Sequence, residues 1–172
     1  MEEKKPISHL MAGAIIAAAL IVYSLALYFT GLSTQQTYSY LSYAILIIGL
    51  VIFINLYGKA LDNFVTFGNL FAYGFKTTAF IIVIMIFFTI IFFLLFPDIK
   101  EKMFDVARQQ MEERNTPENQ IEQAMNLWKR MFWVFTIGGI LIAYAILGAI
   151  GSLIGAAITK KKPVNPLDQL SV

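Results

Sequence analysis

Seven carboxylates fall within one 33-residue stretch: Asp98, Glu101, Asp105, Glu112, Glu113, Glu118 and Glu122. In a cleft, such a set could supply a general acid and base, or oxygen ligands for a hard cation. Here six bases are interleaved with them at helical spacing, as in Glu101-Asp105-Arg108. That alternation is what a solvated helix surface carries, so a charged exterior is expected in place of a reactive site. The single histidine, His9, stands alone at the start of an apolar run, without the second group that proton transfer or metal binding needs. Cysteine is absent, which removes thiol nucleophiles, thiolate metal sites and disulfides. The chain contains no P-loop, no Gly-x-Ser-x-Gly elbow and no His-Glu-x-x-His pair. The expectation is a protein with no enzymatic activity, no metal and no organic cofactor.

One smaller constellation points to a ligand. Asp62, Asn69, Tyr73 and Lys76 lie just ahead of a long apolar span. An ammonium, an amide and a phenol at that depth can hold an anionic lipid headgroup. The plainer reading is interfacial anchoring, with the lysine stem in the apolar layer and its charge in the headgroups.

The elements that position these residues are dominated by lipid-soluble helices. Ala79 to Phe96 contains one polar residue, Thr89. A helix apolar on every side has no wet face. Eighteen residues at ~1.5 Å each nearly match a hydrocarbon layer of ~30 Å, so this is read as a membrane helix. Composition agrees: 58% of the residues are hydrophobic and 14% charged, far from a soluble domain. A net charge of +2 without a basic-aromatic patch gives no reason to expect nucleic acid.

Four transmembrane helices are expected in an all-α membrane protein: residues 9–30, 38–57, 77–96 and 131–159. The first is a poor signal peptide, because Glu2 and Glu3 offset Lys4 and Lys5, and it is read as a retained span. Residues 66–76 form an interfacial amphipathic segment that merges into the third span, capped by Thr66, with Phe67, Leu70, Phe71, Gly74 and Phe75 on one apolar face and Asn69, Tyr73 and Lys76 largely off it. Residues 98–130 form a soluble amphipathic helical hairpin between the third and fourth spans. Pro97 opens it, and Asn115 with Thr116-Pro117-Glu118 breaks and restarts it, with Thr116 as cap. Met103, Phe104, Met111, Met125 and Trp128 exceed what a narrow two-helix seam can bury, so contacts for a protein partner are expected among them. Residues 160–172 are a basic stop and a disordered tail.

Gly148, Gly151, Ser152 and Gly155 give the fourth span a small-residue packing face. Its expected partner is the first span, where Ala12, Gly13, Ala14, Ala17, Ala18 and Ala19 cluster; a seam between two copies is the alternative. Four spans put both termini on one side. That side collects seven lysines against six basic residues in the hairpin, and the Lys160-Lys161-Lys162 triplet with the charge-free first loop assigns the termini to the cytoplasm.

Thr66-Phe67-Gly68 through Tyr73-Gly74-Phe75, the Phe96-Pro97-Asp98 exit, the Pro117-Glu118-Asn119-Gln120-Ile121 restart and the glycine-rich last span ending Lys-Lys-Lys-Pro form a set. With that set, nearly the whole chain resembles an uncharacterised group of four-helix inner-membrane proteins of the Bacteroidota, the domain-of-unknown-function family numbered 4199. The resemblance implies an inner-membrane location and the hairpin, and it supplies no activity. Families of this kind are associated with neighbouring polyprenyl-phosphate sugar transferases. Two functions follow as expectations. The first is a non-enzymatic scaffold or accessory subunit that binds a membrane or periplasmic protein through its hairpin. The second is a lipid- or glycolipid-handling, flippase-like partner of such a transferase, which would act around Asp62 to Lys76.

Overall fold

The computed structural model describes residues 5–33 and 35–162, and the expected disordered tail beyond the lysine triplet lies outside them. Among the described residues there are six helices: α1 (His9–Phe29), α2 (Gln36–Ala60), α3 (Phe67–Leu95), α4 (Pro97–Glu113), α5 (Glu118–Arg130) and α6 (Phe132–Ile158). α1, α2, α3 and α6 are long and apolar enough to cross a membrane. α3 has the highest mean hydropathy, 3.1, as the Ala79–Phe96 run leads one to expect.

Local chemistry sets the ends of these helices. Ser8 Oγ accepts from the Met11 N–H at 3.2 Å, and Thr66 Oγ1 from the Asn69 N–H at 3.1 Å, so both α1 and α3 are side-chain capped. Three helices end in Schellman motifs with left-handed residues: Gly31 (φ 73°) after α1, Asp62 and Asn63 (φ 51° and 64°) after α2, and Asn115 (φ 55°) after α4. At the last of these, Asn115 N–H donates to Glu112 O at 2.9 Å and Thr116 N–H to Met111 O at 3.0 Å. Pro97 occupies the first turn of α4, as expected. The expected Thr116 cap is not formed. α5 starts at Glu118 with Pro117 in the cap position and no side-chain cap, while the Thr116 N–H closes α4.

α2 and α3 form the short diagonal of the bundle. Both pack on α1 and both pack on α6, whereas α1 and α6 do not touch. The expected pairing of the fourth span's glycine face with the first span's alanine face is therefore corrected. Gly148 lies against Thr78 of α3, and Gly151 and Gly155 lie against Leu50 and Ile54 of α2. Gly74 of α3 returns the fit, approaching Ser152 so closely that a methyl group there would stand 2.6 Å from its Oγ. On α1, Ala12, Gly13 and Ala17 turn inward while Ala14, Ala18 and Ala19 face out. The buried hydroxyls mostly bond back along their own helices: Thr77 to Tyr73 O at 2.8 Å, Thr78 to Gly74 O at 3.0 Å and Thr159 to Gly155 O at 2.7 Å. Such bonds satisfy the group without help from a neighbour.

Residues 66–76 run on into the third span without a break. They are the first turns of an unbroken α3, and the inward face differs from the expected one. Leu70, Tyr73, Gly74 and Thr77 are buried, while Phe67 and Phe75 are exposed. Phe67, Phe71 and Phe75 stack in a ladder along the flank, with centroids 6.4 and 5.9 Å apart. The close approach of Gly74 to Ser152 fixes the rotation of α3, and the rings take the side that lipid can cover. From Lys76 to Leu95 the helix rises ~29 Å, one hydrocarbon thickness.

Between the third and fourth spans, α4 and α5 pack against each other around Phe104, Ile121 and Met125, with Phe132 at the base. On α4 the buried positions are Ile99 and Phe104. Arg108 ties the pair together, donating from Nε to Glu112 at 2.9 Å and from Nη2 to Glu118 on α5. The Glu112 hydrogen bond, and then the Glu118 charge, push the guanidinium pKa further up.

Candidate functional site

A cleft of about 420 Å³ opens at the end of the bundle where α1 and α3 begin. The segment Pro6–His9 forms one wall, Tyr57 at the end of α2 the back, and Asn69, Ala72, Tyr73 and Lys76 on α3 the other wall. Spacing along α3 explains the second wall: positions 69, 73 and 76 recur at i, i+4 and i+7 and share one helix face. The Tyr73 hydroxyl donates to Ile7 O at 3.0 Å, which ties the lead into α1 against α3. Its ring lies parallel to Tyr57, with centroids 4.1 Å apart and planes at 14°. This pair is a rigid floor, while Asn69 and Lys76 are exposed and His9 is half-buried.

The cleft collects donors and one fixed positive charge. Lys76 brings an ammonium, Asn69 an amide and His9 an imidazole, and among the described residues no carboxylate lines it. The N-termini of α1 and α3 both lie at this end, adding partial positive charge from their dipoles. The opposing C-terminus of α6 is neutralised locally. Lys161 Nζ donates to Ala156 O at 2.6 Å, to Thr159 O at 3.0 Å and to Ala157 O at 3.2 Å. The next residue docks on the α2–α3 turn, with Lys162 N–H donating to Asn63 O at 2.8 Å. The lysine triplet is thus partly a clasp that closes the bundle.

Of the four residues singled out for a headgroup, Asn69, Tyr73 and Lys76 come together. Asp62 does not: it turns the chain after α2, in the left-handed region, outside the cleft lining. His9 and Tyr57 belong to the cleft and were not assigned to it from sequence. The available signal was that α1 and α3 run parallel, which places His9 level with the start of α3.

The residues assigned to a protein partner divide. Phe104 and Met125 are buried in the hairpin's own seam, Met111 packs against it, and Met103 and Trp128 line a shallow groove of about 170 Å³ with Val106, Ala107 and Gln110. Gly148, Gly151, Ser152 and Gly155 are all buried on α6. Among the described residues, Ser152 Oγ is the one buried side-chain oxygen or nitrogen without a hydrogen-bond partner. No group of three or more metal-binding side chains occurs among the described residues.

Four helices of this length and apolarity, packed in one bundle, make this a multi-pass helical membrane protein. Residues 12–161 match the family model described as "Protein of unknown function (DUF4199)", and the chain belongs to that family. No curated protein and no solved structure matches the chain.

Proposed function

We propose that this is an inner-membrane protein that binds an anionic lipid or glycolipid headgroup in the cleft between α1, α2 and α3. In this reading both termini are cytoplasmic, and α4 and α5 stand outside the bilayer on the opposite side. The observation that carries it is the convergence of Lys76, His9 and Asn69 over the stacked tyrosines in a cleft that, among the described residues, no carboxylate lines. Lys76 begins the stretch of α3 that matches the hydrocarbon layer, so its ammonium sits at headgroup depth. A phosphate there would accept from an ammonium, an amide and an imidazole, and charge-assisted bonds of that kind are the stronger ones. The test is native mass spectrometry of the purified protein with phosphatidylglycerol and phosphatidylcholine. The anionic lipid should be retained preferentially, and Lys76→Gln should remove the preference. Equal retention of both lipids by the unaltered protein would refute the reading.

A second reading, an accessory subunit that binds a protein through the hairpin, is favoured by the groove that Met103 and Trp128 leave open. It places the functional residues at the other end of the molecule.

A further inference from the structure

A second cleft, of about 620 Å³, lies at that other end, lined by Pro97, Lys100, Glu101, Phe104, Asp105 and Lys129. Its depth follows from its floor. Pro97 comes directly after the third span, and Phe132, the first residue of α6, packs on Phe104 with centroids 5.7 Å apart. The two spans leave the apolar layer at this level, and the adjoining Leu94 and Leu95 are 70% and 68% exposed.

The charges in this cleft are arranged unlike those on the rest of the hairpin. Lys100 Nζ lies 4.6 Å from the Phe132 centroid and 6.0 Å from that of Phe104, and Lys129 Nζ lies 5.7 Å from the Phe104 centroid. Two ammonium groups therefore share one aromatic platform. Glu101 and Asp105 follow each other at i, i+4 along α4, a like-charged pair that disfavours a helix slightly. Among the described residues none of these four side chains is in an ion pair; Glu113, Arg114, Glu122 and Arg130 on the same two helices are also unpaired, but they do not line the cavity. Two unpaired cations and two unpaired anions thus line one cavity at headgroup depth.

We propose that this cleft holds a phosphoethanolamine group, as the headgroup of an aminophospholipid, with its phosphate on Lys100 and Lys129 and its primary ammonium on Glu101 and Asp105. A purely anionic headgroup leaves both carboxylates unpaired. A choline headgroup carries the right charges but has no N–H to donate, whereas a primary ammonium has three. The inference is independent of the lipid assigned to the first cleft.

The experiment is native mass spectrometry in detergent on the full chain carrying Lys76→Gln, which silences the first cleft. Phosphatidylethanolamine, phosphatidylcholine and phosphatidylglycerol are titrated in parallel. Phosphatidylethanolamine should be retained about tenfold better than phosphatidylcholine, the scale of a charge-assisted hydrogen bond. The near-isosteric Glu101→Gln/Asp105→Asn variant should abolish that preference, and Lys100→Gln/Lys129→Gln should weaken retention of both zwitterionic lipids. Both pairs are surface changes, and unaltered circular dichroism separates lost binding from lost folding. Should either pair unfold the protein, the lipid preference of the chain carrying Lys76→Gln alone decides. Equal retention of the two zwitterionic lipids overturns the proposal. Displacement of the lipid by millimolar glycerophosphoethanolamine overturns its assignment to a membrane lipid in favour of a soluble phosphoethanolamine.

Discussion

Gly148 is the tightest point of the bundle, and adding one methyl group there tests how α3 and α6 meet. A Cβ at this position would overlap Thr78 Cγ2 and stand 2.5 Å from Thr78 Oγ1 and 2.8 Å from Thr78 Cβ. Thr78 has little freedom to yield. It is β-branched, fully enclosed, and its hydroxyl is bonded to Gly74 O at 3.0 Å. The helices must therefore separate, and overpacking of this kind costs ~1–3 kcal/mol. For a chain of this length that corresponds to a loss of roughly 2–12 °C in Tm. Gly151→Ala should be milder, because its nearest neighbour is the flexible Leu50 Cδ1 at 3.1 Å. Gly138 and Gly139 have nothing within 4 Å, so alanine there should be neutral or stabilising through helix propensity alone. Thr78→Ala in the Gly148→Ala background removes the two closest atoms and should restore part of the loss, giving a coupling of ~0.5–3 kcal/mol in a double-mutant cycle. The assay is thermal unfolding in detergent, followed by the fluorescence of Trp128 and Trp133. Wild-type stability for Gly148→Ala, or equal losses at Gly148 and Gly139, would show that the α3–α6 contact is not the close one described.

Three further outcomes are expected. Because the chain has no cysteine, Gln109→Cys should label with an impermeant thiol reagent in intact spheroplasts while Lys160→Cys does not; the opposite pattern inverts the proposed orientation. Asn115→Val forces a β-branched residue into the left-handed region and should cost ~1–2 kcal/mol, whereas Asn115→Gly should be tolerated, both read from unfolding midpoints. Replacing residues 98–127 with a short Gly-Ser linker should abolish co-purification of any protein that binds the hairpin, and undiminished recovery of the same proteins would move recognition to the membrane spans.

What the sequence made legible was local. The apolar runs fixed four spans, and Thr66 and Pro97 marked helix starts because a cap or a missing N–H acts within one turn. Thr116 misled: α5 starts one residue later, with Pro117 in the cap position and no side-chain cap, and the Thr116 N–H closes α4 instead. The pairing of spans was not legible. Small residues on α1 and α6 announce that a backbone can come close without naming which, and the choice fell to shape, with Thr78 and Ile54 fitting against Gly148 and Gly155. Nor could the inward face of α3 be read from hydropathy. In lipid the apolar rings gain nothing by turning inward, so Phe67 and Phe75 face out while Tyr73 is buried. Half of the candidate cleft was legible, because Asn69, Tyr73 and Lys76 share one helix face. His9 and Tyr57 come from other helices and join it only through the tertiary fold.

The absence of contact between α1 and α6 has a consequence for biogenesis. The first three spans pack on one another without the last, so they can associate as soon as they leave the insertion machinery. About sixty residues separate Leu95 from Ile158. At ~5–20 residues per second the groove that α6 will fill stays open for roughly 3–12 s. During that interval Gly74 and Thr78 face lipid or a membrane chaperone without the helix that will cover them. The last turn of α6 then ends the wait, as Lys161 covers its carbonyls and Lys162 fastens onto Asn63. Ribosome pausing or truncation before that turn would leave a three-span intermediate, and the open groove is the feature by which a membrane protease could recognise it.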